Sequence, residues 1–131
     1  MVAYAQAQLP NEACGLIGGI ICGKTKYVKK IYQLTNLDHS PEHFSLDPKE
    51  QLIALKDARS GGLQLIGNWH SHPSTPARPS EEDIRLAFDP TASYLILSLA
   101  AEKPTLKSFC ITGGIAAAED LVIDNEYRTL G

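Results

Sequence analysis

Long apolar runs are missing from this chain of 131 residues. The longest, Tyr94 to Ala101, is broken by Ser98 and falls far short of the ~20 residues that a membrane-spanning helix needs. The opening MVAYAQAQLP has neither the basic region nor the apolar stretch of a secretory signal. Cysteine is scarce as well. Cys14, Cys22 and Cys110 are odd in number and lack C-x-x-C spacing, which excludes a disulfide scaffold and fits a reduced, cytoplasmic protein. Each lies in an apolar run and reads as a small core hydrophobe. There is no basic excess: 12 Lys and Arg against 15 Asp and Glu leave a net charge of −3. That argues against nucleic acid or a membrane surface as partner. Lys24, Lys26, Lys29 and Lys30 do cluster, but in a predicted hairpin, where they read as a solvated strand face. Repeats and low-complexity segments are absent. What is present, 44% hydrophobic and 21% charged residues, is close to a globular average and suits one domain with one core.

Along the chain, residues 2–9 favour helix, and Pro10 ends it because the residue before proline is pushed out of the α region. CGLIGGIIC, residues 14–22, reads as a buried strand whose glycines permit close backbone approach. A turn at Gly23-Lys24 leads to a second strand over residues 26–34. Residues 35–46 are irregular. Asp47, Pro48 and Glu50 form the start signal of a helix, with N-cap, N1 proline and capping-box acid, running through Ala58. Leu52, Ile53, Leu55 and Lys56 lie at helical spacing on its expected packing face. Gly61-Gly62 closes it. Residues 63–72 read as a strand, and residues 73–79 as a loop because they hold three prolines in seven positions. Ser80 opens a further helix, with three acids in its first turn, reaching about Phe88. Residues 93–100 form an expected central strand, residues 106–112 another, and residues 115–123 one or two short final strands. The order predicts a mixed α/β layer with at least two helices on one sheet.

Three features carry chemistry. His70 and His72 stand two apart on a strand, so their imidazoles share one face and can reach one metal. Asp83 follows in the first turn of the next helix, which the proline-rich loop can swing back beside the strand end. Two histidines and a carboxylate, with a fourth position for water, suit a catalytic zinc. Glu12, upstream of the first strand, is a carboxylate available for proton transfer. Each has a plainer reading. On local grounds Asp83 is the N3 acid of a Ser80 capping box, and Glu12 a surface carboxylate. His39 and His43 lie in the irregular stretch and read as surface groups. Trp69 and Ser71 face the opposite side of the strand, as core and structural residues.

The whole pattern is His70-x-His72-x7-Ser80-x2-Asp83, with proline at 73 and the upstream Pro10-x-Glu12-x-Cys14-Gly15-Leu16-x-Gly18 stretch. It resembles the JAMM (MPN+) zinc metalloprotease family over about residues 8–112. Asn36 and Phe44-x-x-Asp47-Pro48 belong to the same likeness. It is most similar to the small bacterial branch that acts on ubiquitin-like sulfur-carrier proteins. The resemblance implies an α+β fold, a mixed, curved sheet flanked by two to three helices in the cytidine-deaminase-like JAMM architecture. It implies one domain over residues 1–131. It makes His70, His72 and Asp83 ligands of one Zn2+, Glu12 the general acid/base, and Ser80 a donor to the oxyanion. The last role competes with helix capping by the same hydroxyl, and the functional reading is preferred.

The activity so implied is hydrolysis of an amide at the C-terminal Gly-Gly of a ThiS- or MoaD-like carrier, or of its adduct with cysteine or another amine. Two rivals are a metal-free MPN-type interaction scaffold and a RadC-like, DNA-repair-associated relative. The intact ligand set disfavours the first. The Glu12-Ala13-Cys14-Gly15-Leu16 environment and the acidic balance disfavour the second. A zinc deaminase is excluded because its H-x-E and P-C-x-x-C elements are missing. Only nine residues precede Pro10, where small relatives carry a strand and a longer helix start. Two expectations follow: either the start is misplaced, or an N-terminal edge strand is missing and a sheet edge is left open for pairing.

Overall fold

A glycine-rich strand and a proline-rich crossover organise the fold, seen in a computed structural model that describes residues 1–87 and 89–119. Helix α1 (Val2–Gln8) stops at Leu9, whose ψ of 141° obeys the proline that follows. Strands β1 (Cys14–Cys22) and β2 (Thr25–Leu34) form a hairpin through Gly23 at a φ of 61°. Helix α2 (Pro48–Ser60) leads into β3 (Gln64–His72). Then come α3 (Glu81–Leu86), β4 (Ser93–Ser98), β5 (Thr105–Thr112) and β6 (Ile115–Glu119). The six strands make one sheet in the order β2-β1-β3-β4-β5-β6. Among the described residues, only β3 and β4 pair in parallel. A parallel pair needs a crossover, and here the crossover carries residues 73–79 and α3. Helix α3 ends before Phe88, and the expected strand at 115–123 is seen as β6, while Phe88 and residues 120–123 lie outside the described residues. Among the described residues no helix is long and apolar enough to cross a membrane.

The two faces of the sheet have different partners. On one, Ala5 and Met1 pack with Ala13, Ile17, Trp69, Leu95 and Leu97. On the other, Leu16, Leu34 and Ala54 pack together. Gly15 lets β3 and β2 meet across β1. A Cβ there would collide with the Tyr32 carbonyl and the Trp69 indole nitrogen. Its absence lets Trp69 Nε1–H pass across β1 and donate to Tyr32 O on β2 at 3.0 Å. The indole is thus buried with its one polar group satisfied.

Several expectations are corrected. Helix α2 buries Ala54 and Ala58, while Leu52 and Ile53 are 51% and 67% exposed. Small side chains bring this helix close to the sheet, Leu55 is half-buried, and Leu52 and Ile53 face away. Glu50 does not complete a capping box. Asp47 caps by accepting from Lys49 N, and Glu50 instead accepts from Thr35 N at 2.6 Å and Thr35 Oγ1 at 2.9 Å. Of the cysteines only Cys14 is buried. Cys22 is exposed with the other last residues of β1, and Cys110 is half-buried.

Candidate metal centre

The alternation of β3 delivers its site. Trp69 and Ser71 turn to the α1 side, and His70 and His72 to the other. Ser71 is fully buried and structural. Its Oγ accepts from Ala13 N at 2.8 Å, and its N–H donates to Ala13 O at 2.9 Å. This clamp extends the β1–β3 ladder past Cys14, which pairs with His70, and so holds Glu12 alongside the end of β3.

The proline-rich loop is anchored rather than loose. Ala77, its buried apolar residue, packs on Ile96 and Phe109. Ser98 Oγ donates to Thr75 O at 2.6 Å. The loop then places Ser80 and Asp83 back against the strand. Both halves of the capping box are formed. Ser80 Oγ accepts from Asp83 N at 3.0 Å, and Asp83 Oδ2 accepts from Ser80 N at 2.9 Å. The local reading of Ser80 and Asp83 therefore holds. It also coexists with the ligand reading, because Asp83 Oδ2 lies 3.1 Å from His70 Nε2 and 3.2 Å from His72 Nε2.

The two Nε2 atoms are themselves 3.0 Å apart. His72 Nδ1 lies 2.9 Å from Pro76 O, a carbonyl that can only accept, so the proton of a neutral His72 sits on Nδ1 and its Nε2 presents a lone pair. Two imidazole nitrogens and a carboxylate oxygen thus converge on one point. Ligand atoms of this trio all lie within 4.8 Å of one another. Nitrogen and oxygen donors converging in this way fit zinc. Burial keeps His70 below its ordinary pKa against the pull of Asp83. Burial also opposes charge on His72, but the Asp83 carboxylate and the Pro76 carbonyl outweigh it and raise its pKa. For Asp83 burial favours the neutral acid, yet the two imidazoles and the Ser80 N–H hold its carboxyl far below the usual range.

Glu12 is buried, and its Oε1 has no hydrogen-bond partner. Burial pushes its pKa up to about 8, with His72 pulling the other way and Asp83, Glu82 and Glu42 adding to the rise. It stands outside the converging trio but close enough for its charge to act on His72.

Two residues matter more than their local sequence signals. Asn36 is buried, and its side chain makes four bonds: Nδ2 donates to Glu12 O and His43 O, and Oδ1 accepts from Asp38 N and Ser45 N. It ties the Glu12 segment to the irregular residues 35–46. That segment carries Phe44, whose ring stacks on His70 with centroids 4.6 Å apart. The motif likeness included both residues. A lone Asn and a lone Phe carry no periodic signal that would have revealed these tasks. His43 is not simply a surface group either. Its Nδ1 meets Glu82 Oε2 at 2.6 Å, joining this segment to α3. His39 is exposed as expected.

The mixed sheet, the crossover and the trio at its start define a JAB-type domain. The chain belongs to the family described as prokaryotic homologs of the JAB domain, which matches residues 1–111. It is 32% identical over 128 residues to the CysO-cysteine peptidase of Mycobacterium tuberculosis, covering 97% of this chain and 86% of that protein. A solution structure from Desulfitobacterium hafniense is 55% identical with a TM-score of 0.88, covering 98% of this chain and 89% of that one. A JAB1/MPN domain protein from Archaeoglobus fulgidus has the same fold at 22% identity, TM-score 0.56, covering 93% and 88% of the two chains.

Proposed function

We propose that this protein is a cytoplasmic zinc metallopeptidase, one domain over residues 1–131, that hydrolyses an amide at the C-terminus of a ubiquitin-like sulfur-carrier protein. His70 Nε2, His72 Nε2 and Asp83 Oδ2 would hold the ion. The observation that carries the reading is their mutual approach within 3.0–3.2 Å. Acceptor atoms do not crowd together in this way without a proton or cation among them. Zinc, when bound, supplies Lewis acidity to the substrate carbonyl and to water. Glu12 takes a proton from the attacking water as oxygen bonds to the carbonyl carbon. It returns that proton to the departing nitrogen as the C–N bond breaks. Its buried, partner-free oxygen supports this role, since burial makes it basic enough to hold a proton near neutral pH. Ser80 has both of its duties. The cap uses a lone pair on Oγ, which leaves the hydroxyl hydrogen to be donated to the oxyanion.

The substrate assignment rests on the family resemblance and on the relative named as a CysO-cysteine peptidase. The scissile bond would join the terminal glycine of a Gly-Gly tail to cysteine or another amine. The test is mass analysis of a carrier–cysteine adduct incubated with the zinc-loaded protein. Glu12→Ala should retain zinc and lose at least 100-fold in rate, of the order removed with a general acid/base. His70→Ala and His72→Ala should lose the zinc itself. Full hydrolysis by Glu12→Ala, or an unchanged mass with wild-type protein, would sink the proposal.

A further inference from the structure

Among the described residues, three buried side-chain polar atoms lack a hydrogen-bond partner: Glu12 Oε1, His70 Nδ1 and Asn68 Oδ1. Two of them belong to the proposed catalytic machinery. The third has no task in it. Native proteins rarely leave such atoms orphaned, and those that persist call for an explanation. The contrast with Asn36, whose amide makes four bonds, shows that this fold does satisfy a buried amide when its role is structural.

Asn68 stands two residues before His70 on β3, so it shares the face of the two histidines. A cleft of about 610 Å3 opens along this face. It reaches from His70 and Asp83 past Asn68 to Gln64 and Leu65, with Phe44 and Leu86 among its walls. Glu12 is held at the other end of the trio, beside His72, by the clamp between Ser71 and Ala13. The nitrogen that leaves must receive its proton there. The leaving amine therefore points to the Glu12 end, and the acyl segment runs the opposite way, over Asn68.

We infer that Asn68 is a substrate-positioning residue, whose Oδ1 accepts the backbone N–H of the penultimate residue on the acyl side of the scissile bond. The inference rests on the proposed peptidase reading and adds a requirement to it. An amide oxygen can only accept, so the occupant must present a donor, which an extended peptide does at every residue except proline. Two residues of extended chain span ~6.6 Å, the same rise that separates His70 from Asn68 on the strand below. A carbonyl held at the trio thus brings the penultimate N–H over Asn68. The site should accept tails with a free N–H at this position and reject proline or an N-methylated residue there.

The experiment compares wild type with Asn68→Leu, which keeps the branched shape and removes the polar amide with its acceptor. The substrates are an adduct of the Gly-Gly tail and the same adduct N-methylated at the penultimate nitrogen. Either change alone should lower kcat/KM about tenfold or more, chiefly through KM, and the two together should cost no more than one. Zinc content should stay the same, and the melting temperature should not fall, because an orphaned polar atom has been removed. A purely structural Asn68 would show the reverse: additive losses, or kcat/KM within twofold of wild type. Either result overturns the inference. If Asn68→Leu does not fold, wild-type indifference to N-methylation overturns it equally. If wild type cleaves neither substrate, the peptidase reading has failed, and this one is decided by binding. A fluorescent peptide ending in the free Gly-Gly carboxylate should bind wild type about tenfold tighter than Asn68→Leu, and equal affinities would refute it.

Discussion

Glu12 keeps an oxygen buried without a partner, which is unfavourable for stability and useful for proton transfer. Its pKa, about 8 in the fold, lies well above the model-peptide value of 4.5. The folded protein therefore holds a proton that the unfolded chain releases. The stability tied to that proton is complete below pH 4.5 and is lost as the pH rises toward 8. Glu12→Gln has nothing to titrate. In metal-free protein, its stability relative to wild type should grow between pH 5 and pH 8 by roughly 2–4 kcal/mol. Urea titrations at the two pH values measure that slope, and parallel curves would show that Glu12 titrates normally. Cys14 is the counterexample of a buried titratable group. Burial, with the Glu12 charge next, pushes its thiol up to about 12, so it remains an apolar filler at any working pH.

At the scale of elements, α3 is the weak member. It is six residues long and buries none of them. With Ile84 only half-buried, hydrophobic contact holds it weakly, and its first turn leans on the Ser80–Asp83 capping box and the His43–Glu82 pair. The same turn aims Asp83 Oδ2 at the histidines. Ser80→Ala should therefore weaken zinc binding by 10–100-fold, the usual effect of losing a group that orients a ligand. Ser80→Thr, which retains the capping oxygen, should restore most of it. Competition with a chromogenic chelator reads both, and an unchanged affinity in Ser80→Ala would detach the cap from the metal site. Much of this element could be read beforehand. Ser80, Asp83 and the prolines state a loop, a cap and a start in local chemistry. Helix α2 was less legible. Leu52 and Ile53 have the spacing of a packing face, but Ala54 and Ala58 are the residues buried. Which face of an amphipathic segment packs depends on how close the sheet allows it to come, and that is a tertiary fact. The reach of Glu50 to Thr35 was equally invisible, since the two stand fifteen positions apart with an irregular stretch between them.

Over the whole molecule, the trio joins parts that the backbone connects only through a long excursion. His70 and His72 end β3, and Asp83 lies on α3 in the crossover to β4. The motif made these residues legible as a set. That a crossover brings them together follows from the parallel pairing of β3 with β4, which no local pattern announced. An ion held by all three would fasten the crossover to the sheet. It would bind the folded chain and not the unfolded one, in which the donors are dispersed. Free zinc at a hundred times its dissociation constant should then add about 2.7 kcal/mol, raising the melting temperature by roughly 8–10 °C for a domain of this size. Removal by a chelator should reverse the gain. The effect has a pH sign that separates it from non-specific binding. The histidines must give up their Nε2 protons to bind, and Asp83 holds a proton on His72 above the ordinary imidazole pKa when metal is absent. Protons and zinc therefore compete for the same lone pairs. The zinc-induced rise should shrink steadily from pH 7.5 to pH 5.5, whereas His72→Ala should show little rise at either pH. Differential scanning calorimetry with and without zinc measures this. A rise independent of pH, or one preserved in His72→Ala, would mean that the ion binds elsewhere on the chain.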